Sequence, residues 1–147
     1  MYYFAYGSNM NPERMEDRNV NFTMMGQAVL KGYRLQFNKL ASRNPGEGFA
    51  NIEHRENEVV EGILYDIPEA EIEKLDVFEG YPHHYNRSKL KVKFKDSELE
   101  AVVYIAQGDK IKEGLKPARS YLHHLLAAEK YLTPEYMKKL HDQETLD

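Results

Sequence analysis

Met1-Tyr-Tyr-Phe-Ala-Tyr-Gly-Ser-Asn-Met10 opens the chain and governs how the rest is read. Tyr2 to Tyr6 is an aromatic-rich run of strand type. It meets a Gly-Ser-Asn corner, and Asn11-Pro12-Glu13-Arg14 follows at once. Asn is a good N-cap, Pro suits the first helical position, and Glu in the first turn complements the helix dipole. The order is therefore strand, tight turn, and a short helix to about Asp17. In such a corner successive backbone N–H groups face outward together and can hold an anion or a developing oxyanion. Gly7 permits a positive φ and a close approach of ligand to backbone. A plain connection is the other reading of the same residues.

The 147 residues suit one domain, 1–147, with a core of useful size. A net charge of −4 gives none of the basic footprint that nucleic acid or an anionic membrane would ask for. The absence of cysteine excludes disulfides, thiolate catalysis and Cys-ligated metals. The start of the chain lacks a basic, then apolar, leader pattern. The longest apolar stretches, such as Ala101 to Ala106, fall far short of the ~20 residues that span a bilayer. The expectation is a soluble cytoplasmic protein with neither a nucleic-acid nor a membrane partner.

Along the chain, the β-like run from Phe22 to Asn38 is broken by Lys31-Gly32 and predicts two strands, Met24–Leu30 and Tyr33–Asn38. Ser42 to Gly48 predicts a loop. Phe49–His54 and Val59–Ile67 predict strands on either side of a polar turn, Arg55–Glu58. Leu90, Val92 and Phe94 alternate with Lys89, Lys91, Lys93 and Lys95, and after a turn at Lys95 to Glu98 the chain returns as Leu99–Ala106. This lysine row reads as the solvated face of an amphipathic hairpin rather than a phosphate strip. Pro117 to about Leu132 predicts a packing helix, Thr133-Pro134-Glu135 caps a last one, and the tail after His141 is expected to fray.

Pro68 to Gly80 predicts a helix with the apolar positions Ile72, Leu75 and Phe78. Glu79 lies four after Leu75 and seven after Ile72, so it shares their inward face. It also falls in the last turn, where the helix dipole disfavours negative charge. Burial and dipole together raise a carboxyl pKa toward neutrality, which suits a proton carrier. A solvated, frayed helix end is the alternative.

Other chemistry is poorly supported. No Gly-x-Ser-x-Gly elbow makes Ser8 a nucleophile, and there is no phosphate-loop or dinucleotide glycine pattern. His83-His84 and His123-His124 are adjacent pairs without the i, i+4 spacing of a helical metal site, so no metal is expected. One inward acid, a corner of backbone donors and a supply of tyrosines fit proton transfer in acyl chemistry without a cofactor.

Tyr3-Phe-Ala-Tyr-Gly-Ser-Asn-Met10 with Arg14 resembles the N-terminal signature of the γ-glutamylcyclotransferase family, whose superfamily includes the avirulence-induced-gene-like proteins. Gly48-Phe-Ala-Asn-Ile52, Val60-Glu-Gly-Ile-Leu-Tyr65 and Leu75-Asp-Val-Phe-Glu-Gly80 follow in that family's order. The resemblance implies an α+β fold, a small mixed β-barrel with helices packed outside. It implies cyclisation of a γ-glutamyl group to 5-oxoproline, a transferase or lyase reaction without a cofactor on a small-molecule substrate. Glu79 would be the general base and acid. The corner Tyr6, Gly7, Ser8 and Asn9 would bind substrate, and Tyr85 and Tyr104 would donate hydrogen bonds to it or orient Glu79. Arg87 reads as a surface residue or a fold contact. Ser42–Gly48 and Tyr81–His84 are placed to line the amine half, whose identity is open. A silent binding protein of the same fold and an amidohydrolase releasing glutamate stand as alternatives.

Overall fold

A computed structural model describes residues 1–147. Strands β1 (Tyr2–Ala5), β2 (Thr23–Leu40), β3 (Gly48–Asp66), β4 (Tyr85–Phe94) and β5 (Ser97–Ala106) close a barrel in the spatial order β1-β3-β2-β4-β5. The β1–β5 seam is parallel and every other pairing is antiparallel. Helices α1 (Pro12–Asp17), α2 (Ile72–Glu79), α3 (Arg119–Leu126) and α4 (Pro134–His141) complete the α+β barrel expected from the sequence. No helix is long and apolar enough to cross a membrane.

The expected breaks in the two long strands are not turns. Lys31-Gly32 and Arg55 to Glu58 lie inside β2 and β3. Gly32 (φ +83°) and Asn57 (φ +66°) instead absorb register irregularities. His54 to Asn57 are exposed, so the polarity there marks where the ribbon leaves the core. The lysine row is likewise solvent-facing, with Lys91 and Lys93 paired across the hairpin with Glu100 and Glu98.

Phe4, Ile63, Leu64, Tyr65, Val92 and Val103 are buried on the two faces of the sheet in one continuous core, which Leu75 of α2 and Leu125 of α3 join with Met10 and Met15. Each fully buried side chain of this size contributes roughly 1.5–3 kcal/mol. Asn11 caps α1 by accepting from the Glu13 N–H at 3.1 Å, as its position suggested. The expected Pro117–Leu132 helix is shorter: α3 ends at Leu126, and a 3₁₀ turn at Glu129–Tyr131 lets both Ala128 and Leu132 reach the core. Glu61 of β3 ties α4 to the barrel by accepting from the Thr133 N–H (2.8 Å) and Oγ1 (2.6 Å). Nor does the tail fray. The Leu146 N–H donates to Pro117 O at 2.9 Å, and Asp147 accepts from the Arg119 N–H at 2.8 Å.

Gly48 opens β3 where a Cβ would overlap the Phe37 carbonyl oxygen and lie 2.7 Å from Leu115 Cβ. Nothing lies within 4 Å of the same position on Gly108. Gly48→Ala is therefore expected to cost about 2–4 kcal/mol, by strain in a packed region, and Gly108→Ala less than about 0.5 kcal/mol. Urea denaturation of the two variants beside wild type checks this. Equal losses would contradict the packing described.

Candidate active site

Helix α2 delivers Glu79. Ile72 and Leu75 are buried, as their spacing required, but Phe78 is half-exposed and Val77 more so. Both instead form the rim of a cavity, where the Arg18 guanidinium lies 4.8 Å from the Phe78 ring centroid. The helix ends in a Schellman pair: Tyr81 N–H to Asp76 O (2.9 Å) and Gly80 N–H to Val77 O (3.2 Å). Gly80 is left-handed (φ +65°, ψ +35°), a conformation that costs glycine little. Glu79 is thus the last helical residue, half-buried, with its carboxyl set among the cavity walls.

The cavity holds about 430 Å³ and is lined by all seven residues singled out from the sequence: Glu79, Tyr6, Gly7, Ser8, Asn9, Tyr85 and Tyr104. The corner is a 3₁₀ turn, Ser8–Met10, closed by Met10 N–H to Gly7 O at 3.0 Å. The N–H groups of Gly7, Ser8 and Asn9 donate to no protein group. Gly7 does not use a positive φ, contrary to expectation; its φ is −112°. Its value is the close approach. A Cβ there would sit 3.1 Å from Ala50 Cβ and 3.2 Å from the Tyr121 hydroxyl.

The expected tyrosine donors are committed elsewhere. Tyr6 donates to Tyr104 O at 2.5 Å, Tyr85 to Ala50 O at 2.7 Å, and Tyr104 to Asp76 Oδ1 at 2.7 Å. They build the walls, and no hydroxyl hydrogen of theirs is left for a ligand. Asp76 also pairs with Arg87 Nη1 at 3.1 Å, and that guanidinium lies 4.3 Å from the Tyr81 ring centroid. Arg87 is a fold contact that steadies α2 against the β4–β5 hairpin.

Several lining residues escaped the sequence reading. Tyr3 accepts from Asn9 Nδ2 at 3.0 Å and Tyr121 accepts from the Ala50 N–H at 3.1 Å, and the hydroxyl hydrogens of both have no protein acceptor. Arg14 donates to Ser8 Oγ at 3.3 Å, and Arg18 to Asn9 Oδ1 at 3.0 Å. Lys39 meets His84 Nδ1 at 2.9 Å. One signal was available for Lys39. It continues the odd-numbered apolar face of Tyr33, Leu35 and Phe37. Of the two segments expected to line the amine half, Ser42 and His84 reach the cavity. No three His, Asp or Glu side chains converge in a way that could hold a metal ion.

Burial pushes the Glu79 carboxyl up to about 7, against the pull of Arg18, Lys39 and Arg14, while Asp76 adds to the rise. Desolvation therefore outweighs three cations. Tyr3 and Tyr6 are held far above the usual phenol range, first by burial and then by the Glu79 charge, and Tyr85 first by burial and then by Tyr121 and Tyr6. They stay protonated at neutral pH.

Because the Glu79 pKa is raised, from ~4.3 unfolded to about 7 folded, the native state binds the proton more tightly between those values. Stability is fully present below the lower value and falls as pH rises to the upper one. Glu79→Gln should thus stabilise the protein little at pH ~4 and by about 2 kcal/mol at pH ~8. Thermal melts across that range check it, and a gain independent of pH would contradict the burial of this carboxyl.

A family model described as gamma-glutamyl cyclotransferase, AIG2-like matches residues 3–128. The YkqA protein of Bacillus subtilis (strain 168), whose name carries a provisional gamma-glutamylcyclotransferase assignment, is 30% identical over 144 residues. Those residues cover 95% of this chain and 50% of YkqA, so the chain spans about half the length of this curated relative. A solved gamma-glutamyl cyclotransferase structure superposes with a TM-score of 0.88 at 26% identity, over 100% of this chain and 89% of that one. A human protein described as uncharacterized gives the same TM-score, 0.88, at 26% identity, over 99% and 89% of the two chains. The sequence match runs from β1 past the end of α3, through every element that lines the cavity, and the chain belongs to the gamma-glutamyl cyclotransferase, AIG2-like family.

Proposed function

We propose that this chain converts a γ-glutamyl amide to 5-oxoproline and a free amine. The observation that carries the reading is Glu79, a carboxyl at about 7 facing a cavity beside unpaired backbone donors. A base poised near the working pH can both take and return a proton. Ionised Glu79 takes a proton from the substrate's α-ammonium. The amine nitrogen attacks the γ-carbonyl carbon of the same molecule and closes a five-membered ring. Attack within one molecule converts a bimolecular step into a unimolecular one, given that the cavity holds the chain bent.

Charge then develops on the carbonyl oxygen. The free N–H groups of the Gly7 to Asn9 corner, with the unspent hydroxyl hydrogens of Tyr3 and Tyr121, are the donors suited to it. Arg14 and Arg18 suit the substrate's α-carboxylate. Glu79 returns the proton to the leaving nitrogen as the amide C–N bond breaks, and the second proton, shed by the attacking nitrogen through Glu79, leaves on the free amine, which departs as an ammonium. The step balances with no water and no cofactor.

Incubating wild type and Glu79→Gln with γ-glutamyl amides, followed by mass spectrometry, tests this. Wild type should yield 5-oxoproline, and the variant should lose at least about 100-fold in kcat/KM. Free glutamate in its place, or a variant near full activity, would overturn the reading. The free enzyme's Glu79 must be ionised to act as base. The kcat/KM profile should therefore climb about tenfold per pH unit up to about 7 and level above it.

A further inference from the structure

Two buried side-chain polar atoms have no hydrogen-bond partner, Arg34 Nε and the Tyr136 hydroxyl oxygen. Both residues line one cavity of about 180 Å³ between the β2–β3 ribbon and α4. That cavity shares no lining residue with the one around Glu79. A buried donor left unpaired is costly, and it is tolerated where a ligand or an ordered water completes it.

Tyr136 is 7% exposed. Burial lifts its phenol above the usual range, so the hydroxyl keeps its hydrogen at neutral pH. The Glu61 backbone pulls the other way, which it can do only as an N–H donor. The hydroxyl hydrogen therefore has no acceptor. Arg34 is half-buried, and its Nη2 lies 3.7 Å from Glu53 Oε2, while its Nε–H meets nothing. Lys139 is exposed, lines the same cavity and takes part in no ion pair.

The remaining walls narrow the ligand. Leu35, Phe37, Val59 and Leu140 give the cavity an apolar side. Water could meet the two donors only by also lying against that surface, where it finds no partners. Arg34 and Lys139 against Glu58 leave an excess of one positive charge on the lining. Glu58 is itself paired with Arg55 at 3.4 Å, so an amino group on a ligand finds no free counter-charge.

From this wall we infer a second binding site, for a small monocarboxylate with a compact apolar body, whose oxygens accept from Arg34 Nε and the Tyr136 hydroxyl. Two acceptor oxygens match two orphan donors, and one negative charge matches the excess on the lining. A single ring fits the space, since a cavity of ~150 Å³ takes benzene. Occupancy of this site does not depend on Glu79.

Benzoate and its neutral isostere benzamide are the probes, each titrated into ¹⁵N-labelled protein and followed by ¹H–¹⁵N NMR. Benzoate should shift the Arg34 Nε–H and the amides of α4, with a Kd on the order of 1 mM. Benzamide should bind at least about tenfold more weakly. Tyr136→Phe and Arg34→Met should each weaken benzoate binding about tenfold, the scale of a hydrogen bond to a charged group. Glu79→Gln should keep the affinity. Tyr136→Phe should also melt no lower than wild type, because it removes a hydroxyl that nothing satisfies. Equal binding of the two probes overturns the inference, as do shifts confined to the Glu79 cavity. So does an unchanged affinity or a clear loss of stability in Tyr136→Phe. No shift at about 20 mM benzoate would mean a site for water alone and overturns it too. Where Arg34→Met fails to fold, Tyr136→Phe and the shift map decide.

Discussion

A carboxylic acid set deep in a cavity has to be held there by everything around it, and in this chain that acid is Glu79. Its position follows from three restraints on one short helix. Ile72 and Leu75 anchor the helix in the core. Gly80 stops it within one residue of the acid, in a conformation that other residues resist. Asp76, one turn back, is clamped by the Tyr104 hydroxyl and the Arg87 guanidinium. The barrel supplies those partners, since Tyr104 lies on β5 and Arg87 opposite it on β4. Closure of the sheet therefore positions the acid, although no strand residue touches it through a hydrogen bond.

The balance of forces on Glu79 decides what the cavity can do. Three cations lower its pKa and burial raises it, and burial prevails. A carboxylate paired directly with an arginine would sit well below the usual range and make a weak base. Here the arginines are engaged with Ser8 and Asn9, and Lys39 with His84, so none closes an ion pair with the acid. Cations near the acid but committed elsewhere leave it neutral enough to give a proton and basic enough to take one. They also leave positive charge unanswered inside the cavity.

Much of this was legible in the sequence where the signal is local. The N-cap Asn11, the stop at Gly80 and the inward phase of Glu79 come from spacing along single helices. The Gly-Ser-Asn corner was found, though for a partly wrong reason: Gly7 is needed for the closeness of Ala50 and Tyr121, not for its φ. Failures arose where tertiary pairing overrides a local cue. Lys31-Gly32 and Arg55 to Glu58 look like turns but are bulged, solvated strand, because each strand continues along its partner beyond the core. The tail looked free because Arg119, which holds Asp147, is distant in sequence. Tyr3, Tyr121 and Lys39 come from β1, α3 and β2, and Arg18 from the turn that ends α1; only barrel closure brings them to one cavity. The Tyr85 and Tyr104 hydroxyls were expected to reach a ligand or to orient Glu79; Tyr104 holds Asp76 of the same helix, and Tyr85 donates to Ala50 O.

The central claim is that the cavity desolvates the Glu79 carboxyl, so that it titrates near neutrality and is poised to exchange a proton. Titration of its side-chain carboxyl carbon by ¹³C NMR, assigned by comparison with Glu79→Gln, tests that without reference to any substrate. A midpoint near 7, as the burial demands, upholds the account. A midpoint near ~4.3, that of a solvated glutamate, would show the acid to be hydrated and would remove the physical basis for its role as a base.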